Sequence, residues 1–257
     1  LLAIKSLSKK LEVARKNPVW DPVQLSGKVV QDGADWLLQS EQGSFKLTGD
    51  KLEELKGRSG KSIAVDGFIK VPGQLEITHF LDKRENTLEV FVMGLCPFAQ
   101  QAEAALYHHL STTNVHPPVK IELHYILYKQ KQKSSEVFTS LHGEEEITED
   151  LVQMVLRDRF ASSFEPYVLR RATGDKASWR KVAENTGVTS EVIAEIEAII
   201  TKERDSLLQA EYDYVFGRHR ISDNSPTYVW ESERLQDIHQ LNGFEGVDTS
   251  SQQQCGQ

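Results

Sequence analysis

The stretch that most limits the fold is Leu88 to Met93, a near-continuous apolar run that ends in Gly94-Leu95-Cys96-Pro97. Such a run reads as a strand in a buried central position. Ala102, Ala105, Leu106 and Leu110 then share one face and predict a helix from about Pro97 to Leu110. Pro97 suits the first helical position, where no N–H is needed. His116-Pro117-Pro118 breaks the chain, and Val119 to Tyr128 alternates as a second strand. Strand, helix and strand in that order favour parallel pairing and an α/β sheet. The first strand delivers the Cys96 thiol to the start of the helix. Free backbone N–H groups and the positive end of the helix dipole converge there. Both favour thiolate over thiol and predict a Cys96 pKa below the free value of ~8.5. A lone cysteine elsewhere would more often be an inert core filler.

The chain from Thr148 to Gly217 is almost all helical in pattern. Asp150 to Phe160, Phe164 to Arg171 and Ser178 to Glu184 read as helices. A long one begins after Thr189, its expected N-cap, and Gly217 is expected to close it. Asn224-Ser225-Pro226 then leads into a strand, Thr227 to Trp230, with a further strand near Leu235 to Ile238. A proline is tolerated at a strand start. X-Pro bonds are cis in only ~5–6% of cases, so base rates alone make Pro226 trans. A cis bond would turn the preceding backbone toward the thiol.

Strand, Cys-Pro-Phe-x, helix, strand, helical insertion, Ser-Pro-Thr and two strands resemble the thioredoxin superfamily. The helical insertion, about 145–217, places the resemblance near bacterial periplasmic disulfide oxidoreductases. Phe91 to Glu103 is similar to exported bacterial thioredoxin-like proteins with a Met-Ser-x-Cys-Pro-[Phe/Tyr]-Gly pattern. Ser140-Leu141-His142-Gly143-Glu144 and Ser225-Pro226-Thr227 look like parts of the same group. The resemblance spans about Leu88 to Leu241. It implies an extracytoplasmic setting, Cys96 as the attacking thiol and Pro226 as the cis-proline shaping a peptide groove. Pro97, Phe98, Ala99, Ser225 and Thr227 would line that groove. The family site usually reads Cys-x-x-Cys, and here its fourth position is Ala99, so no local disulfide can form. Isomerisation or glutathione-dependent reduction needs only one attacking thiol.

Before this region, 21–82 reads as a small β domain. Leu25 to Val30, Trp36 to Gln39 and Phe45 to Leu47 are strands, and Asp50 is expected to cap a short helix, Lys51 to Lys56, that Gly57 ends. Ile63 to Val71 and Leu75 to Phe80 are the last two strands, joined by Pro72-Gly73. Three strands, a helix and two strands is the order of a small OB-type barrel. It lacks basic residues interleaved with aromatics, so a structural or partner-docking module is expected. The fold class is therefore α/β, a thioredoxin fold with a helical insertion, preceded by a small OB-like barrel. Asp82 to Asn86 is the expected boundary, and the second domain is expected over 87–241. Residues 1–20 should hold an amphipathic helix, Ile4 to about Val13, that packs on a neighbour or serves a homodimer. The tail, 243–257, is expected to be mobile.

Composition narrows the partners. The net charge is −8, which repels phosphate backbones and argues against nucleic acid. No apolar run approaches the ~20 residues of a membrane helix. Leu1 opens the chain, consistent with a removed signal or anchor segment or with a trimmed sequence. Two cysteines, Cys96 and Cys255, exclude a disulfide scaffold and a Cys-rich zinc site. Cys255 stands eight steps beyond Val247, at most ~26–29 Å of extended chain. It is either a distal resolving thiol or an exposed tail cysteine.

Eight histidines invite a metal reading, but their spacing matches no ligand motif, so no metal is expected. Glu144-Glu145-Glu146 reads as a solvated helix start. Glu103 and Gln100 read as surface. Arg218, His219 and Arg220 read as exposed charges at a helix end, or as a site for a glutathione carboxylate. The expected function is a monothiol thiol–disulfide oxidoreductase or isomerase acting through Cys96 on protein or low-molecular-weight disulfides. It needs no cofactor beyond glutathione as a thiol donor, and a redox partner protein fits. A redox-inactive peptide-binding or chaperone-like module and a glutathione-dependent isomerase or transferase are the other readings. A monothiol glutaredoxin with an iron–sulfur cluster fits less well, because Pro97 and Ala99 replace the Gly and Ser of that motif.

Overall fold

The computed structural model describes residues 22–132, 135–222, 224–241, 243–247 and 255. The helix expected at Ile4 to Val13 lies outside them. The chain divides into two compact units, Leu1–Arg84 and Glu85–Gln257.

In the first unit five strands close a barrel in the order β1-β2-β3-β5-β4. They are β1 (Pro22–Asp32), β2 (Asp35–Ser40), β3 (Gly43–Thr48), β4 (Ser62–Val71) and β5 (Gln74–Asp82). Alternation turns Val29, Leu38, Leu47, Ile63, Val65 and Leu75 inward, where they form one apolar core. The expected helix is a single 3₁₀ segment, Asp50–Leu55, whose N-cap is Gly49 and not Asp50. Leu55 drops from it into the core. A parallel pairing of β3 with β5, Leu47 opposite Leu75, closes the ring. Gly67 is required where β4 passes β5, since a Cβ there would lie 2.2 Å from the Glu76 carbonyl oxygen.

The second unit is mixed α/β. Its sheet runs β11-β10-β6-β7, built from β6 (Thr87–Val92), β7 (Lys120–Tyr125), β10 (Thr227–Trp230) and β11 (Glu233–Arg234). β6 is buried along its whole length. It pairs with β7 in parallel and with β10 in antiparallel. Helix α1 (Pro97–Thr112) connects β6 to β7. A hairpin, β8 (Tyr128–Gln132) and β9 (Ser135–Thr139), follows where sequence periodicity showed only an extension of β7.

Four helices come next: α2 (Glu144–Arg159), α3 (Ala161–Ala172), α4 (Trp179–Asn185) and α5 (Ser190–Tyr212). Thr189 caps α5 by accepting from the Val192 N–H. Gly217 does not close it. α5 runs into a π-helical segment, Asp213–Arg218, that contains this glycine. The strand expected at Leu235 to Ile238 is instead β11, two residues earlier, and a 3₁₀ turn at Ile238–Gln240. The tail is anchored where it is described: Phe244, Val247 and Cys255 are buried. No helix among the described residues is long and apolar enough to cross a membrane.

Candidate functional site

Strand register builds the site. β10 opposes β6 with Thr227 across from Phe91. Two residues further out, Ser225 therefore faces Met93, and its Oγ accepts the Met93 N–H at 2.8 Å. The Ser225–Pro226 peptide is cis. On the other side, β6 ends and Cys96 becomes the N-cap of α1 with Pro97 in the first turn. No acidic residue stands in that first turn, so the dipole there acts unopposed from within the helix.

Cys96 is fully buried, and its sulfur is bonded to that of Cys255. The two Cα atoms are 6.3 Å apart across a separation of 159 residues. Cys255 also pairs with the proline loop through its backbone. The Ser225 N–H donates to the Cys255 carbonyl at 3.1 Å, and the Cys255 N–H donates back at 3.0 Å. This antiparallel bridge lays the C-terminal cysteine as a single extended residue along Ser225. Cys96 Sγ lies 3.6 Å from the Ser225 carbonyl oxygen.

Helix α2 holds the loop before Cys96 with carboxylates. Asp150 Oδ1 accepts the Gly94 N–H at 3.0 Å, and Glu146 Oε1 accepts the Leu95 N–H at 2.8 Å. With Ser225 on Met93, three successive backbone N–H groups end on side chains. Gly94 is needed here because a Cβ would lie 2.4 Å from Asp150 Oδ1. Burial pushes the Asp150 carboxyl well above its usual range, and the neighbouring Glu146 adds to this. Glu146 is itself buried and not solvated as its Glu-Glu-Glu context suggests. It also holds His142, whose Nδ1 is 2.9 Å from Oε1. The other ring nitrogen of His142 is 3.9 Å from Cys255 Sγ. One turn on, Glu149 pairs with Arg171, Nη2 to Oε2 at 2.6 Å, and accepts the Tyr167 hydroxyl at 2.9 Å.

Of the remaining residues singled out in the sequence, Pro97 is exposed and Phe98 partly so, whereas Ala99, Ser225 and Thr227 are buried. Ala99 packs in the core of the unit instead of lining a groove. An open groove of about 880 Å³ lies beside the loop, lined by Leu95, Pro97, Gln100, His142, Arg171 and Trp179 among others. Gln100 is tied to the loop, donating to the Gly94 carbonyl at 3.1 Å. Glu103 is not on the surface: it is buried on α1, and desolvation, aided by Glu149, pushes its carboxyl up to about 8. His219 is also buried as a side chain, against the expectation of an exposed helix-end charge. Sequence reasoning took Glu146 for solvated and gave no role to Glu149 or Asp150, nor to Arg171, which carried no signal of its own. The one signal for the three carboxylates was their spacing at i, i+3 and i+4 on one helix, which solvated helices share.

No family model and no curated protein matches the chain. Among solved structures it is similar to reduced DsbA1 from Neisseria meningitidis and to an oxidised point mutant of DsbA1. Each is 15% identical, covers 66% of this chain and 85% of its own, and superposes with a TM-score of 0.32.

Proposed function

We propose that the chain is a thiol–disulfide oxidoreductase of thioredoxin type whose redox pair is Cys96 and Cys255. The observation that carries this reading is the double role of Cys255. It holds the Cys96 sulfur while its backbone pairs in both directions with the residue before the cis-proline. A peptide substrate adding as a strand beside Ser225 would use the same N–H and carbonyl.

The chemistry balances over two exchanges. A substrate thiolate attacks one sulfur of the pair, the Cys96–Cys255 bond breaks, and the departing sulfur takes a proton. A second substrate thiolate then attacks the mixed disulfide and releases the remaining cysteine. The substrate gains a disulfide, and the pair takes up two electrons and becomes a dithiol. His142 is placed to serve the Cys255 sulfur. Glu146 accepts at Nδ1, which leaves Nε2 to give or take the proton. The helix start serves Cys96 as thiolate. Run in reverse, Cys96 attacks an external disulfide and Cys255 resolves it. Full burial of Cys96 means that either direction requires Cys255 to leave Ser225.

The disulfide supports a setting outside the cytosol, where such bonds persist. The closed barrel with its apolar core supports an OB-type docking or structural module. A monothiol isomerase, with glutathione as donor, is the second form of the same reading, and Cys255→Ser separates the two. Equilibration with glutathione buffers, read by mass, should give a potential more positive than about −300 mV. Cys96→Ser should abolish oxidation of a dithiol peptide, and Cys255→Ser should accumulate mixed disulfides at Cys96. A potential well below that value, with no trapped adduct, would make the bond a static staple.

A further inference from the structure

β6 buries a carboxylate among apolar neighbours: Glu89 has no exposed surface. On the same sheet, parallel register sets Glu89 beside Glu122 and Phe91 beside His124. Residues two apart on a strand share a face, so Glu89, Glu122 and His124 converge. Each offers one donor atom, and the three atoms lie within 4.8 Å of one another. His124 Nε2 is 3.9 Å from Glu89 Oε1 and 3.8 Å from Glu122 Oε2. Just past the π-helical segment, its C-cap His219 brings Nε2 to 3.5 Å from Glu89 Oε1, beside the group of three. Its i→i+5 bond, from the His219 N–H to the Tyr214 carbonyl at 3.2 Å, stacks these two residues one turn apart. Such segments frequently mark functional sites. The Tyr214 hydroxyl hydrogen-bonds Glu89.

The decisive atom is His124 Nε2. It is buried and has no hydrogen-bond partner among the described residues. Its orientation is set from behind, since Nδ1 is 3.1 Å from Glu211 Oε1. Glu211 is in turn held by Arg157 and by the Tyr125 N–H. A carboxylate on Nδ1 fixes the tautomer that leaves the Nε2 lone pair facing outward, the usual second partner of a metal-ligating histidine. Here that lone pair faces two carboxylates at distances too long for hydrogen bonds. Donors sharing a tetrahedral ion at about 2.0–2.2 Å lie roughly 3.3–3.6 Å apart. The separations of His124 from the two carboxylates need to close by only a few tenths of an ångström.

We propose that Glu89, Glu122 and His124 form a site for one divalent transition metal, with Zn²⁺, completed by water, the best match to one imidazole and two carboxylates. Two carboxylate charges balance the ion. The site belongs to neither redox sulfur. Access runs along β7, an edge strand, where Glu122 keeps 18% of its side-chain surface while Glu89 keeps none. The bound ion would tie β6 and β7 together.

The test uses the full chain in its oxidised form, so that no thiolate competes. After chelation and dialysis, Zn²⁺ is added back and counted by native mass spectrometry, with Co²⁺ absorption as a second readout. The expected result is one ion per chain, a tetrahedral Co²⁺ spectrum and a raised Tm. Glu89→Gln and His124→Gln should each weaken binding at least tenfold, and Glu211→Gln by about 10–100-fold. The exposed His108→Gln should leave it unchanged. Should a buried variant fail to fold, the wild-type count still decides. A folded wild-type chain that retains no Zn²⁺ at micromolar concentration overturns the proposal. So does equal binding by a folded Glu89→Gln chain.

Discussion

The two units bury different things. Among the described residues of the barrel unit, no charged side chain is buried, and its core is aliphatic. The α/β unit buries Glu89, Glu103, Glu146, Glu149, Asp150, Arg171 and Glu211. Buried charge costs free energy unless it is paired or neutralised. A barrel can be stable with apolar packing alone, so the polar interior of the second unit calls for a different explanation. Much of it is accounted for by position. Glu146 and Asp150 hold the Cys96 loop, Glu149 and Arg171 hold α2 to α3, and Glu211 holds His124. Burial works against the Glu211 charge, but His124 and Arg157 together hold its carboxyl down to about 2.

That contrast can be broken or sharpened by experiment. The largest effect is expected from Arg171→Met, which strands the buried Glu149. It should destabilise the α/β unit by about 3–5 kcal/mol. Hydrogen exchange read by mass spectrometry should show the loss in 85–247 and leave the barrel strands protected. Equal loss in both units would mean that the two do not unfold separately.

Reduction of the Cys96–Cys255 bond comes next. It opens a loop of 159 residues, and the usual range for a native bridge is about 2–5 kcal/mol. Thermal unfolding with and without reductant measures it. A shift below half a kilocalorie would favour a tail that leaves readily.

The third effect is a pH slope. The folded carboxyl of Glu103 titrates near 8 and the unfolded one near 4.5. Between those values the folded chain holds a proton that the unfolded chain has released. This contribution is therefore complete below about 4.5 and is lost as pH rises through 8, at roughly 1 kcal/mol per pH unit. Glu103→Gln should flatten the slope in urea titrations between pH 5 and 8. An unchanged slope would assign it to another group.

The smallest effect belongs to the barrel. Arg58 and Asp82 form an ion pair there with both side chains partly exposed. Arg58→Ala should cost below about 1 kcal/mol. A larger loss would show that this unit, too, depends on charge.

Local chemistry explains what could be read beforehand. Leu88 to Met93, Pro97 and the helical spacing after it are near neighbours, and their pattern is that of the elements found. The barrel strands were legible for the same reason, through alternation and the Pro72-Gly73 turn. The hairpin of β8 and β9 was not, because Tyr128 continues the alternation of β7 across a bend. Glu144, Glu145 and Glu146 look alike in sequence, yet only the third turns inward. Spacing in the sequence could not show that His124, on β7, and His219, past the π segment, would both face Glu89, because that depends on strand register and long-range packing.

The chain's order of residues was enough to put a thiol at the start of a helix behind a buried strand. Short-range sterics and periodicity act within a few residues, so they can be read directly. Which sulfur meets Cys96, which carboxylates lose water and which imidazoles gather at Glu89 were decided by long-range closure. Desolvation and pairing depend on what packs alongside, and that neighbour can stand 159 residues away.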